Sequence, residues 1–190
     1  MGRTLKGEET KNRIIKCSAE LFFRNGYNAT GISEILKAAE IPKGSFYFHF
    51  DSKKSVAKSV AVYYEKILTD WIMDYYSKYE GAEFIEKFIG SMIEKAENNE
   101  YYGCPLTTIG QELAFFEPDI AENYNKSLEK LITLFKSIFK RYGLSDEESE
   151  IKGKKAFVIY EGFLVYYRIS KNINVLYSMQ KEMEELFKKY

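Results

Sequence analysis

Apolar residues recur along this chain with a helical period almost from end to end. Between Thr10 and Asn25 they fall at Ile15, Ala19, Phe22 and Phe23, the i, i+4, i+7, i+8 spacing of one helical face, and Gly26 stands where such a helix would end. A second, short helix follows, opened by Thr30 or Gly31 and favoured by Glu34 in its first turn, with Ile32, Ile35, Leu36 and Ala39 on one stripe. Glu40-Ile41-Pro42 interrupts the pattern. Proline donates no backbone hydrogen bond but suits the first turn of a new helix, predicted over Lys43 to Phe48. Asp51 or Ser52 then caps a long fourth helix whose stripe, Val56, Val60, Tyr63, Ile67 and Trp71, runs on towards Tyr79.

The same reading predicts helices at about 82 to 98, 105 to 116, 118 to 141, 146 to 171 and 174 to 189, with Gly143 and the Ser145-Asp146-Glu147-Glu148 cap marking the clearest join. In the last two helices, Phe157, Tyr160, Leu164 and Tyr167 form one stripe and Val175, Met179, Met183, Leu186 and Phe187 another. Both are apolar enough to bury two surfaces, one in the core and one against a partner. The fold class is all-α: an N-terminal three-helix domain over 1–52 and a C-terminal helical bundle over 53–190.

Composition narrows the class. The 190 residues are 45% hydrophobic, with three prolines and no linker-like run, as in a globular chain. No apolar stretch reaches the roughly 18 residues of a membrane span, and the polar segment from Met1 to Lys11 lacks the apolar core of a secretory signal, so a cytoplasmic protein is expected. Cys17 and Cys104 are far apart with no clustered histidine or cysteine, so they read as free thiols and neither a metal nor a cofactor is expected. The formal net charge of zero hides an asymmetry: residues 1–55 hold 10 Lys and Arg against 6 Asp and Glu. The N-terminal quarter is suited to a polyanion.

Chemistry concentrates between Thr30 and Lys53, TGISEILKAAEIPKGSFYFHFDSK, where two short helices with inward Ile32, Ile35, Ile41, Phe46 and Phe50 hold out a polar and aromatic face. That is a helix-turn-helix layout. Lys43, Gly44, Ser45, Tyr47 and His49 are not needed for the core; they offer a cation, a close backbone approach, a hydroxyl, a phenol and an imidazole to a groove and its phosphates. His49, the sole histidine, reads either as a phosphate contact or as a structural hydrogen-bonder, and Tyr47 either as exposed or as packing.

Gly26-Tyr27, Thr30-Gly31-Ile32, Ile35, Ala38-Ala39 and the run IPKGSFYFHFDSK resemble the N-terminal signature of the TetR family of bacterial regulators. The sequence departs from the commonest pattern at Gly31, where threonine or serine often sits, and at Glu40, where glycine is common. The resemblance implies a homodimer, joined through the last two long helices, whose recognition helices enter successive major grooves of a double-stranded DNA operator, with half-sites about 34–36 Å apart or a multiple of that. Repression of nearby genes is the usual output. Carried over by position, Lys43, Ser45, Tyr47 and His49 match DNA-contacting positions of the recognition helix, and Thr30 and Lys53 match phosphate-contacting positions at helix starts.

The C-terminal part is rich in aromatic residues that serve a core and also suit the walls of a pocket for an apolar or aromatic small-molecule effector. Trp71, Tyr75, Tyr102 and Tyr124 are candidates, as are Phe115, Tyr160, Phe163 and Tyr167. Cys104, in Tyr101-Tyr102-Gly103-Cys104-Pro105-Leu106, precedes a helix whose positive end can lower a thiol pKa. The segment is similar to one in TetR-like C-terminal domains, some of which sense reactive compounds through a cysteine; the bland alternative is a small buried hydrophobe. The main reading is a ligand-responsive repressor. A thiol-based sensor using Cys104 and a constitutive DNA-binding protein stand beside it. A helical small-molecule enzyme is a further alternative, but the chain shows no catalytic residues: no metal cluster, phosphate loop or nucleophile elbow.

Overall fold

A computed structural model describes residues 2–189, with side chains from Gly7 onward. Among the described residues there are nine helices and no strand: α1 Gly2–Asn25, α2 Ile32–Ala38, α3 Lys43–His49, α4 Lys53–Tyr76, α5 Gly81–Glu97, α6 Pro105–Phe116, α7 Pro118–Arg141, α8 Asp146–Ser170 and α9 Asn174–Phe187. They gather into two compact units, one made of the chain up to Lys66 together with Thr108–Ser127, the other of Ile67–Thr107 together with the chain from Leu128 onward.

In the first unit, α1 packs on α2. Its buried face is Ile14, Ser18, Ala19 and Phe22, so the predicted stripe is out of phase: Ile15 and Phe23 are only half-buried. Gly26 ends the helix at φ +92°, and Phe22 meets Tyr27 edge-on at 5.2 Å. Gly31, not Thr30, caps α2, donating its N–H to Glu34 Oε2 at 2.7 Å. The turn into α3 closes with Glu40 N–H on Lys37 O and Ile41 N–H on Leu36 O, the paired bonds of a Schellman motif. Glu40 sits at φ +51°, which explains why glycine is favoured there. Ser52 caps α4 through a reciprocal bond with Ser55. Val56, Ala57, Val60 and Ala61 of α4, Ile109 and Leu113 of α6, and Ile120 and Tyr124 of α7 are also buried in this unit.

The second unit is a bundle in which α9 packs against both α5 and α8. In α4 the buried positions here are Leu68, Ile72 and Tyr76, whereas the predicted Ile67 is 41% exposed. Phe84 and Phe88 stack at 5.8 Å, and Phe187 of α9 meets Phe139 of α7 at 4.5 Å. Gly153 lets α8 approach α7 so closely that a Cβ there would stand 2.7 Å from Lys136 N. The capping box at Ser145 forms as read from sequence, Ser145 Oγ accepting from Glu148 N and Glu148 Oε2 from Ser145 N.

Replacing Glu40 with glycine relieves the left-handed backbone at the one residue of this turn with a positive φ. Glu40→Gly should stabilise the protein by about 1 kcal/mol, seen as a rise of roughly 2–4 °C in Tm. No rise, or a fall, would show that the turn carries no strain.

Candidate nucleic-acid interface

Seven residues form α3, and their burial alternates sharply. Phe46 is fully buried and Phe50 nearly so, their rings 6.1 Å apart, while Lys43, Gly44, Tyr47 and Phe48 are exposed and Ser45 and His49 are half-buried. The apolar anchors therefore fix which face turns outward. On that face Lys43 Nζ lies 5.9 Å from the Tyr47 ring centroid, and the Phe48 and His49 rings meet edge-on at 4.9 Å. A Cβ built on Gly44 would meet nothing within 4 Å, so the glycine is not required by the fold. The arrangement offers a cation, a hydroxyl, a phenol, an imidazole and bare backbone on one surface, the chemistry suited to phosphates and base edges.

Two residues expected to contact phosphate bond the protein's own backbone. Thr30 is fully buried, and its hydroxyl donates to Gly26 O at 2.8 Å. Lys53 donates from Nζ to Tyr27 O at 2.9 Å and Thr30 O at 3.0 Å, with the ammonium 4.1 Å from the Tyr27 ring centroid. Their role here is to hold the α1–α2 loop. Burial, with the carboxylates of Glu117 and Glu112 nearby, pushes the Tyr27 phenol up to about 12. Two features escaped the sequence reading: Phe48, 81% exposed, and the approach of α1, with Lys11 Nζ 5.8 Å from the Phe50 ring and Gly7 beside His49.

The residues offered as pocket walls divide between the units. Tyr124 belongs to the core of the first, its hydroxyl donating to Ala57 O at 3.0 Å. Phe115, in the same unit, is 88% exposed. In the second unit Trp71, Tyr75 and Tyr160 lie 5.1, 5.9 and 6.2 Å from the Phe88 ring, and Trp71 and Tyr167 lie 6.3 and 5.9 Å from Tyr101. Tyr102 and Phe163 are half-buried, the former donating from its hydroxyl to Asn99 O at 2.6 Å.

Cys104 is buried in this second unit. Its thiol is pushed well above its ordinary pKa, first by burial and then by Glu161, so the expected lowering by the helix end is reversed. Glu161, itself buried, accepts from the Thr107 hydroxyl at Oε2, and burial raises its carboxyl.

The N-terminal region, residues 14–60, matches the family model for bacterial regulatory proteins of the tetR family, and residues 81–182 match the model for the LmrA/YxaF-like transcriptional regulator C-terminal domain. The chain belongs to the TetR family of transcriptional regulators, with a helix-turn-helix at its N-terminal end and a helical C-terminal domain. It is similar to an HTH-type regulator from the lacX 3' region of Lactococcus lactis, 28% identical over 95% of this chain and 94% of the relative. It also resembles YxaF of Bacillus subtilis, 25% identical over 95% and 96%. Among solved structures, a TetR-family regulator of Cytophaga hutchinsonii aligns with a TM-score of 0.84 at 19% identity, covering 97% of this chain and 96% of that one. Reduced NemR of E. coli aligns with a TM-score of 0.82 at 17% identity, covering 93% and 96%. No helix among the described residues is long and apolar enough to cross a membrane.

Because Gly44 faces open space, adding a methyl group there separates fold from recognition. Gly44→Ala should leave stability unchanged or raise it by up to about 1 kcal/mol, while weakening binding to a selected DNA duplex by roughly tenfold through lost close approach. Undiminished binding would show that DNA does not come near this position.

Proposed function

We propose that the chain is a ligand-responsive repressor that binds a palindromic operator as a homodimer. The observation that carries the reading is the outward face of α3, where Lys43, Gly44, Ser45, Tyr47 and His49 stand over the sealed anchors Phe46 and Phe50. Lys11, close to the end of α3, extends the same basic surface onto α1. NemR of E. coli, 24% identical over 131 residues, is named an HTH-type transcriptional repressor, which supports repression as the output.

Dimerisation is supported by α8. Its buried positions Ala156, Tyr160, Leu164 and Tyr167 form one face; Ile151, Val158, Tyr166 and Ile169 form a stripe on the opposite face and are 61%, 66%, 60% and 78% exposed. Gly162 lies within that stripe with open space above it, leaving room for a second helix to come close. Together with Tyr177 of α9, 48% exposed, this is an apolar surface that a single copy leaves in water. A second copy covers it by the same patch on both sides.

For the effector, the aromatic group around Phe88 and Tyr101 favours a flat, apolar or aromatic molecule, with Glu161, Thr107 and Cys104 as polar neighbours. Release follows if the effector binds more tightly to a conformation whose recognition helices no longer fit the half-site spacing.

Selection of the purified protein against random duplexes, sequenced at stated salt, should enrich one palindrome; weak binding without preference would sink the operator reading. Val158→Glu places a charge at the middle of the exposed α8 stripe. It should convert dimer to monomer in analytical ultracentrifugation and lose the selected duplex, whereas an unchanged dimer would place the interface elsewhere.

A further inference from the structure

The loop between α1 and α2 has no helix or strand to take up its backbone groups, so its amides and carbonyls need other partners. One carboxylate takes two of the amides: Tyr27 N donates to Glu112 Oε2 and Asn28 N to Glu112 Oε1, each at 2.8 Å. On the carbonyl side, Lys53 Nζ holds Tyr27 O and Thr30 O. Gly26, at φ +92°, brings the chain so near that a Cβ there would stand 3.0 Å from a Glu112 carboxylate oxygen. The loop is thus gripped from both sides by a single anion and a single cation. It leads directly to Gly31, the cap of α2, and α2 carries α3 through a turn of four residues.

Affinity for DNA gives no reason for a carboxylate in a unit that meets phosphate, since it repels the ligand. Its geometry supplies one. Both oxygens are occupied by backbone amides of the segment that aims the helix-turn-helix, and charge-assisted bonds of this kind are stronger than neutral ones.

We infer that Glu112 is a positioning residue for operator recognition: it grips the backbone of Tyr27 and Asn28, sets the start of α2, and through α2 sets the presentation of α3. The inference rests on the operator-binding reading above. It predicts an effect opposite in sign to the electrostatic one, because removing the negative charge would by itself tighten DNA binding.

The test compares Glu112→Ala and Glu112→Gln with the wild-type full chain. Binding is titrated on two duplexes, the one the wild type selects from a random pool and a scrambled version, at several salt concentrations, alongside melting and amide hydrogen exchange. Glu112→Ala should bind the selected duplex roughly tenfold or more weakly, the scale of losing a charged acceptor of two amides. The scrambled duplex should be bound as well as before or better. The salt dependence should stay the same, because no phosphate contact is removed. Exchange at Tyr27 and Asn28 should become fast. Glu112→Gln, which keeps one acceptor oxygen, should fall between, and it carries the comparison if the alanine variant does not fold. Selected-duplex binding that is unchanged or tighter, or losses equal on both duplexes, overturns the inference, as do unprotected Tyr27 and Asn28 amides in the wild type. A wild type that selects no duplex while those amides stay protected removes the operator reading instead, and the positioning role with it.

Discussion

Two helices of seven residues form the helix-turn-helix, and an isolated helix in water needs roughly 12–15 residues to persist. Neither can hold its own shape or direction, so everything about the outward face depends on what is packed behind it. Ile35 of α2 and Phe46 of α3, with Ala39 and Phe50 at the C-terminal caps of the two helices, provide that backing, with little or no exposure at any of them. The Schellman bonds at Glu40 and Ile41 fix the angle between the helices, and Pro42 starts α3 without leaving an unmet donor. Because four apolar anchors and one turn determine the geometry, Lys43, Gly44, Tyr47 and Phe48 are released from structural duty. They can vary at little cost to the fold.

The same economy governs the charges. Lys53 turns inward to backbone carbonyls, and Lys54 pairs with Glu117 at 2.6 Å. With Lys54 largely exposed, that pair adds little stability. These two lysines were among the cations that made the N-terminal quarter look basic, yet they are engaged with the protein. Among the described residues, Lys43 on α3 and Lys11 near its end are exposed. A net charge counted along the sequence therefore overstates the field that a phosphate would meet, and the placement of individual ammonium groups matters more than their number.

Helix positions were legible because their signals are local. The reading of 146–171 met Asp146–Ser170, and 118–141 met Pro118–Arg141, since Ser145, Gly143, Pro105 and Pro118 act on their own neighbours. The phase of the apolar face was less legible. In α4, apolar side chains lie on several sides, and whether Ile67 or Leu68 is buried depends on which element packs there, which periodicity alone does not tell. In α1 the buried polar Ser18 belongs to the core face and blurs the stripe. The expectation that Thr30 and Lys53 contact phosphate could not foresee their bonds to the protein's own backbone, because a backbone hydrogen bond and a phosphate contact use the same residue types at the same positions. Glu112 left no local signal at all: its partners Tyr27 and Asn28 lie some 85 positions away in the chain.

In the second unit the electrostatics of Cys104 constrains how a signal could be received. The nucleophile of thiol chemistry is the thiolate, and forming it here places a negative charge in a buried site beside Glu161. Burial disfavours the anion, and an ionised Glu161 disfavours it further. The carboxyl is itself raised by burial, with hydrogen bonds from Thr107 and Cys104 working the other way, so the two groups share a setting in which neutral forms are favoured. Tyr101 and Tyr160, also raised well above the usual phenol range, belong to the same neutral cluster. Such an interior is suited to discriminating molecules by shape and by hydrogen bonds among uncharged groups. Reaction at sulfur works against this setting, since it needs the buried Cys104 thiol as its anion.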